Sequence, residues 1–204
     1  MRSRTVLYLP HLQAALIAVL VAAADPAGAG ALLRPAQSAP EADARAQQLD
    51  ALFNRLKAAG AQAEGDEIVA EIWKLWQQSG DRELDGLMNR AILAMSQGIP
   101  VLALPLLDDV VKRRPDWAEG WNKRATVLYM LGEYDRSLAD IERVLALEPR
   151  HFGALAGMGL IHIARGRHRE ALAVYRRALT INPFLRERHS IMPALEREIG
   201  EKPL

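Results

Sequence analysis

Apolar side chains recur along this chain at intervals of three and four residues, the spacing that places them on one face of an α-helix. The first such stretch covers residues 48–59, and its apolar face comprises Leu49, Leu52, Phe53 and Leu56. The second covers residues 66–78, and its apolar face comprises Ile68, Val69, Ile72, Trp73, Leu75 and Trp76. No stretch of useful length alternates in the manner of a β-strand, so the pattern predicts an all-α fold.

From residue 84 onward, glycine and proline recur together at one constant period. The glycine–proline pairs, equally spaced within each pair, are Gly98 and Pro115, Gly132 and Pro149, and Gly166 and Pro183. Glycine allows the backbone to reverse between two helices, and proline cannot continue the second helix. A period of roughly 34 residues predicts stacked helix pairs. The predicted pairs cover residues 84–117, 118–151 and 152–185.

The flanking segments predict how this array begins and ends. Residues 47–83 form a helix pair of similar size that lacks the glycine and the proline, so we interpret it as a degenerate repeat or an N-terminal cap. Residues 32–46 carry two prolines among small and polar residues and predict a flexible linker. Residues 186–204 predict a C-terminal capping helix, which we place at residues 191–199.

Residues 1–31 have the three parts of a secretory signal peptide. Arg2 and Arg4 give a positive start, residues 12–24 are almost wholly apolar, and residues 27–31 offer small-residue cleavage sites. The apolar stretch is short for a permanent membrane span, which needs roughly 20 residues. We therefore expect export to the periplasm of a Gram-negative bacterium. The alternative is an uncleaved leader that anchors the chain to the inner membrane, the one route by which we expect membrane contact.

Composition and spacing exclude several classes of function. The 26 basic and 25 acidic residues nearly cancel, so we do not expect nucleic acid as a partner. Cysteine is absent, which excludes disulfides and thiolate catalysis. Asp116 and Glu119 lie near helix ends and are interpreted as surface charges, and no carboxylate joins His162 and His168 in a metal set. We therefore expect no enzyme activity, no cofactor and no metal ion.

The repeat segments resemble the tetratricopeptide repeat (TPR) family, whose motif combines large, small, glycine, tyrosine and proline positions. The middle segment supplies these positions as Trp121, Ala125, Leu128, Gly132, Tyr134, Ser137, Ile141, Val144 and Pro149. The next supplies Leu155, Gly159, His162, Gly166, His168, Ala171, Tyr175, Ala178 and Pro183. Residues 84–117 match less well, and Pro100 and Pro105 are expected to shorten or kink their second helix. The resemblance implies a right-handed α-solenoid of antiparallel helix pairs and a binding role.

The family's geometry implies which first-helix side chains line the concave groove. They are Met88, Ile92, Met95, Asn122, Thr126, Tyr129, Ala156, Leu160 and Ile163. This apolar surface with a polar centre suits an amphipathic helix or an extended peptide. Chaperone-binding members clamp a C-terminal carboxylate with lysines and asparagines, and Ile92 and Leu160 stand where asparagines would be needed. The alternative is that the N-terminal pair or the C-terminal cap covers part of this groove.

Taken together, these features predict a monomeric, non-catalytic scaffold that binds a peptide or helix of a protein partner in the groove. The alternative is a structural module of a cell-envelope assembly that makes contact through its convex face or its end caps. Trp121 occupies a motif position that favours core packing over a role in stacking on a ligand.

Overall fold

The computed structural model describes the backbone of residues 39–200 and the side chains of residues 43–200. Every regular element in this part of the chain is a helix. In chain order they are α1 (Ala39–Ala58), α2 (Gln62–Gln77), α3 (Arg82–Ser96), α4 (Pro100–Arg113), α5 (Ala118–Met130), α6 (Tyr134–Leu147), α7 (Phe152–Ala164), α8 (His168–Ile181), α9 (Glu187–Ser190) and α10 (Met192–Ile199). Among these helices, none has the length and apolar character needed to cross a bilayer. The predicted signal peptide, residues 1–31, lies outside the described residues.

Helices α3 to α8 form three stacked antiparallel hairpins, which confirms the predicted all-α solenoid. Gly98, Gly132 and Gly166 have φ angles of 73°, 76° and 68°. This left-handed conformation strains any residue with a side chain, so the periodic glycines make the reversals. The second helices α4, α6 and α8 each end two residues before their periodic proline.

The two additional prolines do not shorten α4. Pro100 is its first residue, where the backbone N–H has no intrahelical partner to lose. Pro105 removes a single intrahelical donor. The helix still runs for 14 residues, as α6 and α8 do, and it buries Ala103 and Leu107 in the core of the first repeat.

The N-terminal hairpin does not stack in front of the first repeat. Instead, α2 runs along the edge of the solenoid where each second helix leads into the next first helix. Near its start, Gly65 lies beneath the ring of Phe184, and Gln62 Nε2 donates to the carbonyl of Phe184 at 3.0 Å. Near its end, the carbonyl of Trp76 accepts a 2.8 Å hydrogen bond from the indole of Trp117.

We call this hairpin, residues 39–77, the strap. Its core side chains pack with Phe152 at the start of the third repeat and with the chain that follows α8. Residues 47–83 were predicted as a degenerate repeat or an N-terminal cap, and the structure has a helix pair there whose second helix packs along the repeats. Helix α2 contacts all three repeats, because it lies across the array instead of at its end.

The strap also begins earlier than expected. Residues 39–46, predicted as part of a flexible linker, are helical. Pro40 lies in the first turn, where the missing N–H costs no hydrogen bond, and the alanine-rich residues that follow favour a helix. Residues 32–38 of that predicted linker lie outside the described part of the chain.

Two short helices close the C-terminal end, where one was expected. After the four-residue α9, the chain turns into α10, and Pro193 lies in the first turn of α10. Met192 and Leu195 pack against Leu172 and Tyr175 of α8. The last second helix is therefore covered on its outer side.

The contact between Gly65 and Phe184 predicts how tightly the strap is held. A methyl group on Gly65 would lie 2.3 Å from Phe184 Cγ, whereas one on Gly86, also inside a helix, would meet nothing within 4 Å. Gly65→Ala is expected to lower the free energy of unfolding by about 1–2 kcal/mol, because overpacking outweighs the gain in helix propensity. Gly86→Ala is the matched control and should raise it by about 0.5–1 kcal/mol. Urea denaturation measures both values, and equal effects of the two changes would contradict the packing described.

Candidate functional site

The structure divides the predicted groove residues into a buried and a half-exposed set. The buried ones are Met88, Met95, Asn122, Ala156 and Leu160, each at most 7% exposed. Met88 and Met95 belong to the core of the first repeat, and Ala156 packs with α8 and α10. These five side chains are therefore not available as a free contact surface in this conformation.

The half-exposed residues are Ile92, Thr126, Tyr129 and Ile163, and we call them the open strip. They come from the three successive first helices α3, α5 and α7. Ile92 packs on the core of the first repeat, and Ile163 packs on the cluster formed by α8 and α10. The open strip is thus apolar at both ends and carries two hydroxyl groups at its centre.

Tyr129 is the largest side chain of the open strip. Its ring lies 5.6 Å from that of Tyr134, centroid to centroid. Burial, with a smaller contribution from Tyr134, raises the pKa of Tyr129 above its ordinary value of 10.0. The phenol therefore stays protonated and can donate a hydrogen bond. The hydroxyl of Thr126 is already engaged, because it donates to the carbonyl of Asn122 at 2.9 Å.

A buried polar network lies at the N-terminal end of α5, close to the strap. The carboxylate of Glu119 forms an ion pair with Lys123 Nζ at 2.7 Å and accepts from Asn122 Nδ2 at 2.8 Å. His151 Nε2 lies 3.2 Å from the same carboxylate. The other ring nitrogen of His151 accepts from the backbone N–H of Ala154 at 3.1 Å. A neutral imidazole that donates through Nε2 satisfies both contacts.

Aromatic side chains of the strap seal this network from solvent. The Trp76 ring stacks on His151 with a centroid distance of 4.0 Å and an interplanar angle of 9°. The Trp73 ring meets His151 edge-on, with a centroid distance of 5.5 Å. Lys123 Nζ lies 5.4 Å from the centroid of the Trp73 ring. The network is therefore a junction between the strap and the second and third repeats, and it does not face a substrate cleft.

The electrostatics of Glu119 follow from this enclosure. Burial alone would raise the pKa of its carboxyl group, but the charge of Lys123 and the hydrogen bond from His151 lower the pKa from 4.5 to about 2. The carboxylate is thus ionised in the folded protein. Its negative charge compensates the buried ammonium group, which would otherwise be costly to remove from water.

The described residues offer little for catalysis or metal binding. Within residues 43–200, no group of three or more histidine, aspartate or glutamate side chains is placed to hold a metal ion. An open cleft of about 500 Å³ lies between α1 and α8 and is lined by Asp50, Phe53, Asn54, Lys57, Arg150, Thr180 and Ile181. Its arginine is already paired with Asp50 and Glu148.

Sequence reasoning did not find the strap junction. Glu119 was interpreted as a surface charge, yet its side chain is fully buried. Trp117 is buried and donates to the strap. Trp121, predicted to pack in the core, packs at the edge of the cluster that contains Ala125 and Ile141, half-buried beneath Arg124, whose guanidinium lies 4.8 Å from the ring centroid. A basic residue four positions after Glu119 was the one available signal for a helical ion pair.

Comparison with known proteins identifies the family. A tetratricopeptide repeat family model matches residues 88–139 and 122–185. A TPR repeat-containing protein of Rhizobium etli is 39% identical over 150 residues, which are 74% of this chain and 71% of that protein. The small glutamine-rich tetratricopeptide repeat-containing protein 2 of Saccharomyces cerevisiae is 30% identical over 80 residues, 39% of this chain and 23% of that protein. The chain belongs to the tetratricopeptide repeat family.

Solved structures agree on the fold. The first TPR domain of Spaghetti (RPAP3), bound to an HSP90 peptide, superposes with a TM-score of 0.55 at 18% identity, covering 59% of this chain and 95% of that one. The crystal structure of MamA superposes with a TM-score of 0.53, also at 18% identity, over 80% of this chain and 86% of that one. TPR proteins are in general non-catalytic interaction modules, so the class of this chain is that of a protein–protein interaction scaffold.

Removing the charge of Glu119 should loosen the strap junction. Glu119→Gln leaves the buried Lys123 without its carboxylate, and we expect a loss of about 3–5 kcal/mol in the free energy of unfolding. The matched control is Glu133→Gln, which removes an exposed pair with Arg136 and should cost less than about 1 kcal/mol. Chemical denaturation followed by circular dichroism measures both, and a mild effect of Glu119→Gln would show that the network contributes little.

The lowered pKa of Glu119 also predicts an acid dependence. Because the carboxyl group has a pKa of about 2 in the folded state and 4.5 as its ordinary value, its contribution is complete above pH 4.5 and is lost as the pH falls toward 2. The free energy of unfolding should therefore decline across this range. In Glu119→Gln this decline should be shallower. Denaturation curves recorded at a series of pH values measure it, and an equally steep decline in both proteins would show that other carboxylates cause it.

Proposed function

We propose that this protein is an interaction scaffold whose partner, an amphipathic helix or an extended peptide, lies along the open strip. The observation that carries the proposal is the placement of Ile92, Thr126, Tyr129 and Ile163 as half-exposed residues on three successive first helices. A similar fold holds a peptide in the TPR domain solved with an HSP90 peptide. Membership of the TPR family supports a protein partner.

The chemistry of the open strip indicates the kind of peptide that fits. Ile92 and Ile163 offer apolar contacts at the ends, and Tyr129 offers a hydroxyl donor between them. A peptide with two apolar side chains flanking a carbonyl or carboxylate complements this order. Capture of a C-terminal carboxylate by asparagines is not part of the proposal, because Ile92 and the buried Leu160 occupy the positions that such a clamp needs.

The strap prepares the repeats for binding. It contacts the loops of all three repeats, so it restricts their movement relative to one another before a partner arrives. A surface that is already ordered loses less conformational entropy on binding than a mobile one. This is the mechanism that we propose: the helices position the side chains, and the partner supplies the rest of the buried surface.

We also propose that the chain is exported as a monomer and works in the periplasm without catalysing a reaction. The support is the sequence of residues 1–31, with its basic start, apolar stretch and small-residue exit. N-terminal sequencing of the protein purified from cells decides between cleavage and retention. A mature chain that starts near residue 30 supports export with removal of the leader, and an intact Met1 supports the inner-membrane anchor.

Peptide selection tests the groove directly. A phage library of random 16-residue peptides is selected on the full-length protein, and the affinities of the recovered peptides are measured for Tyr129→Ala and for Ala173→Arg. Tyr129→Ala should weaken binding about tenfold or more, as expected for a central aromatic contact. Ala173 is exposed on α8, a second helix, so Ala173→Arg is the matched control and should leave the affinity unchanged.

The reverse result would contradict groove binding. Peptides that lose affinity with Ala173→Arg and tolerate Tyr129→Ala would locate the contact surface on the convex side. That outcome would favour the alternative function, a structural module of a cell-envelope assembly. Circular dichroism of both variants excludes unfolding as the cause of either loss.

A further inference from the structure

The large apolar side chains that are most exposed in the described chain lie together at one end of the solenoid. They are Leu93, Ile99, Val101 and Leu102, which surround the turn between α3 and α4 and are 39–62% exposed. In the second repeat, the positions of the last three are occupied by Glu133, Asp135 and Arg136. In the third they are occupied by Arg167, Arg169 and Glu170. The first repeat therefore has an apolar surface where the others are charged.

Leu93 shows what is missing at this end. It is 57% exposed, whereas its equivalents Val127 and Ile161 are 0% exposed. Val127 is covered by the preceding second helix, α4, through Leu107 and Val110. Ile161 is covered in the same way by Ile141 and Val144 of α6. In the second and third repeats, a preceding second helix packs on this position of the first helix. No described helix packs on α3 in this way.

The same comparison extends along the outer face of α3. Gly120 admits Val110, because a methyl group there would lie 2.9 Å from Val110 Cγ1, whereas its equivalent Gly86 has nothing within 4 Å. Arg124 pairs with Asp108 of α4 at 2.9 Å. Its equivalent, Arg90, is exposed and pairs with no carboxylate of residues 43–200.

We propose that the outer face of α3, formed by Gly86, Arg90 and Leu93, is a docking site for one amphipathic helix of a partner protein. The filled joint between α4 and α5 defines the chemistry of that helix. It carries a carboxylate opposite Arg90 and, two and three residues later, β-branched apolar side chains that pack on Gly86 and Leu93, as Asp108, Val110 and Val111 do on α5. The site lies on a different face from the open strip and does not depend on groove binding.

Other occupants fit less well. In a second copy of the chain, α4 already packs on α5, α6 on α7, and α8 on α10, so the described residues hold no free second helix. Residues 1–38 contain one carboxylate, Asp25, and Pro26 follows it directly. That segment therefore lacks the required order of one acidic residue followed by two β-branched ones. Charge complementarity at Arg90 favours a partner helix.

A single thiol provides the test, because the chain contains no cysteine. Leu93→Cys places it at the centre of the proposed site, and Ala173→Cys, on the exposed side of α8, is the control. The probe is a synthetic peptide of residues 100–114, which is the helix that fills the equivalent joint, stapled through positions 101 and 105 to hold it helical. The rate of maleimide labelling of the full-length protein is measured with and without this peptide.

The peptide, present at about ten times its Kd, should slow labelling of the Leu93→Cys protein about tenfold, because some nine-tenths of the sites are then occupied. Labelling of the Ala173→Cys protein should not change. Adding Arg90→Glu to the Leu93→Cys protein should abolish the protection, and a peptide with Asp108→Lys should restore it. A peptide with Val110→Asp should protect neither the Leu93→Cys protein nor the Leu93→Cys protein that also carries Arg90→Glu.

Three results would overturn the proposal. If Leu93→Cys reacts more slowly than Ala173→Cys in dilute protein without peptide, the chain covers this face itself. If the labelling rate of Leu93→Cys falls as the protein concentration rises, a second copy covers it. If the stapled peptide does not slow labelling of Leu93→Cys, the face does not accept a helix of this chemistry.

Discussion

Trp76 joins the strap to two different repeats, and the position of the strap on the array depends on that contact. Its ring stacks on His151 in the second repeat, and its carbonyl accepts the indole N–H of Trp117 in the first. The side chain of Arg45 in α1 donates to the carbonyls of Leu75 and Trp76, so the C-terminal end of α2 is satisfied from two sides. In a simple solenoid each repeat contacts only its neighbours. The strap adds contacts between residues far apart in sequence, so all three repeats contact one common hairpin.

The strap junction also takes one predicted groove residue, Asn122, out of the concave surface. The buried network of Glu119, Lys123 and His151 lies at the start of α5, beneath the aromatic rings of α2. The polar groups bond to one another within the repeats, and the strap contributes the aromatic rings that cover them. The inner surface that stays half-exposed is the open strip, further along the same first helices. The strap thus orders one end of the groove, and the groove residue Asn122 is buried there.

The features that sequence predicted well are local ones. The periodic glycines specify a backbone conformation that each adopts independently of its surroundings, so Gly98, Gly132 and Gly166 located the turns. The position of the strap could not be predicted in this way. The apolar face of α2 showed that it is buried, but amphipathicity does not say against which surface, and the order of elements along the chain suggested stacking at the end. Glu119 was misjudged for the same reason, because its burial depends on a hairpin that approaches from another part of the chain.

In a repeat protein, each position can be compared with the equivalent positions of the other repeats. In this array, that comparison shows that the two ends differ. Leu93 is exposed, whereas its equivalents Val127 and Ile161 are buried by a preceding second helix, because no described helix packs on that side of α3. At the opposite end α10 covers α8. Ile92 and Leu93 are consecutive residues of α3, one in the open strip and one on the outer face. A helix docked on α3 would therefore continue the row of helices beside the groove and lengthen the inner surface that a peptide meets.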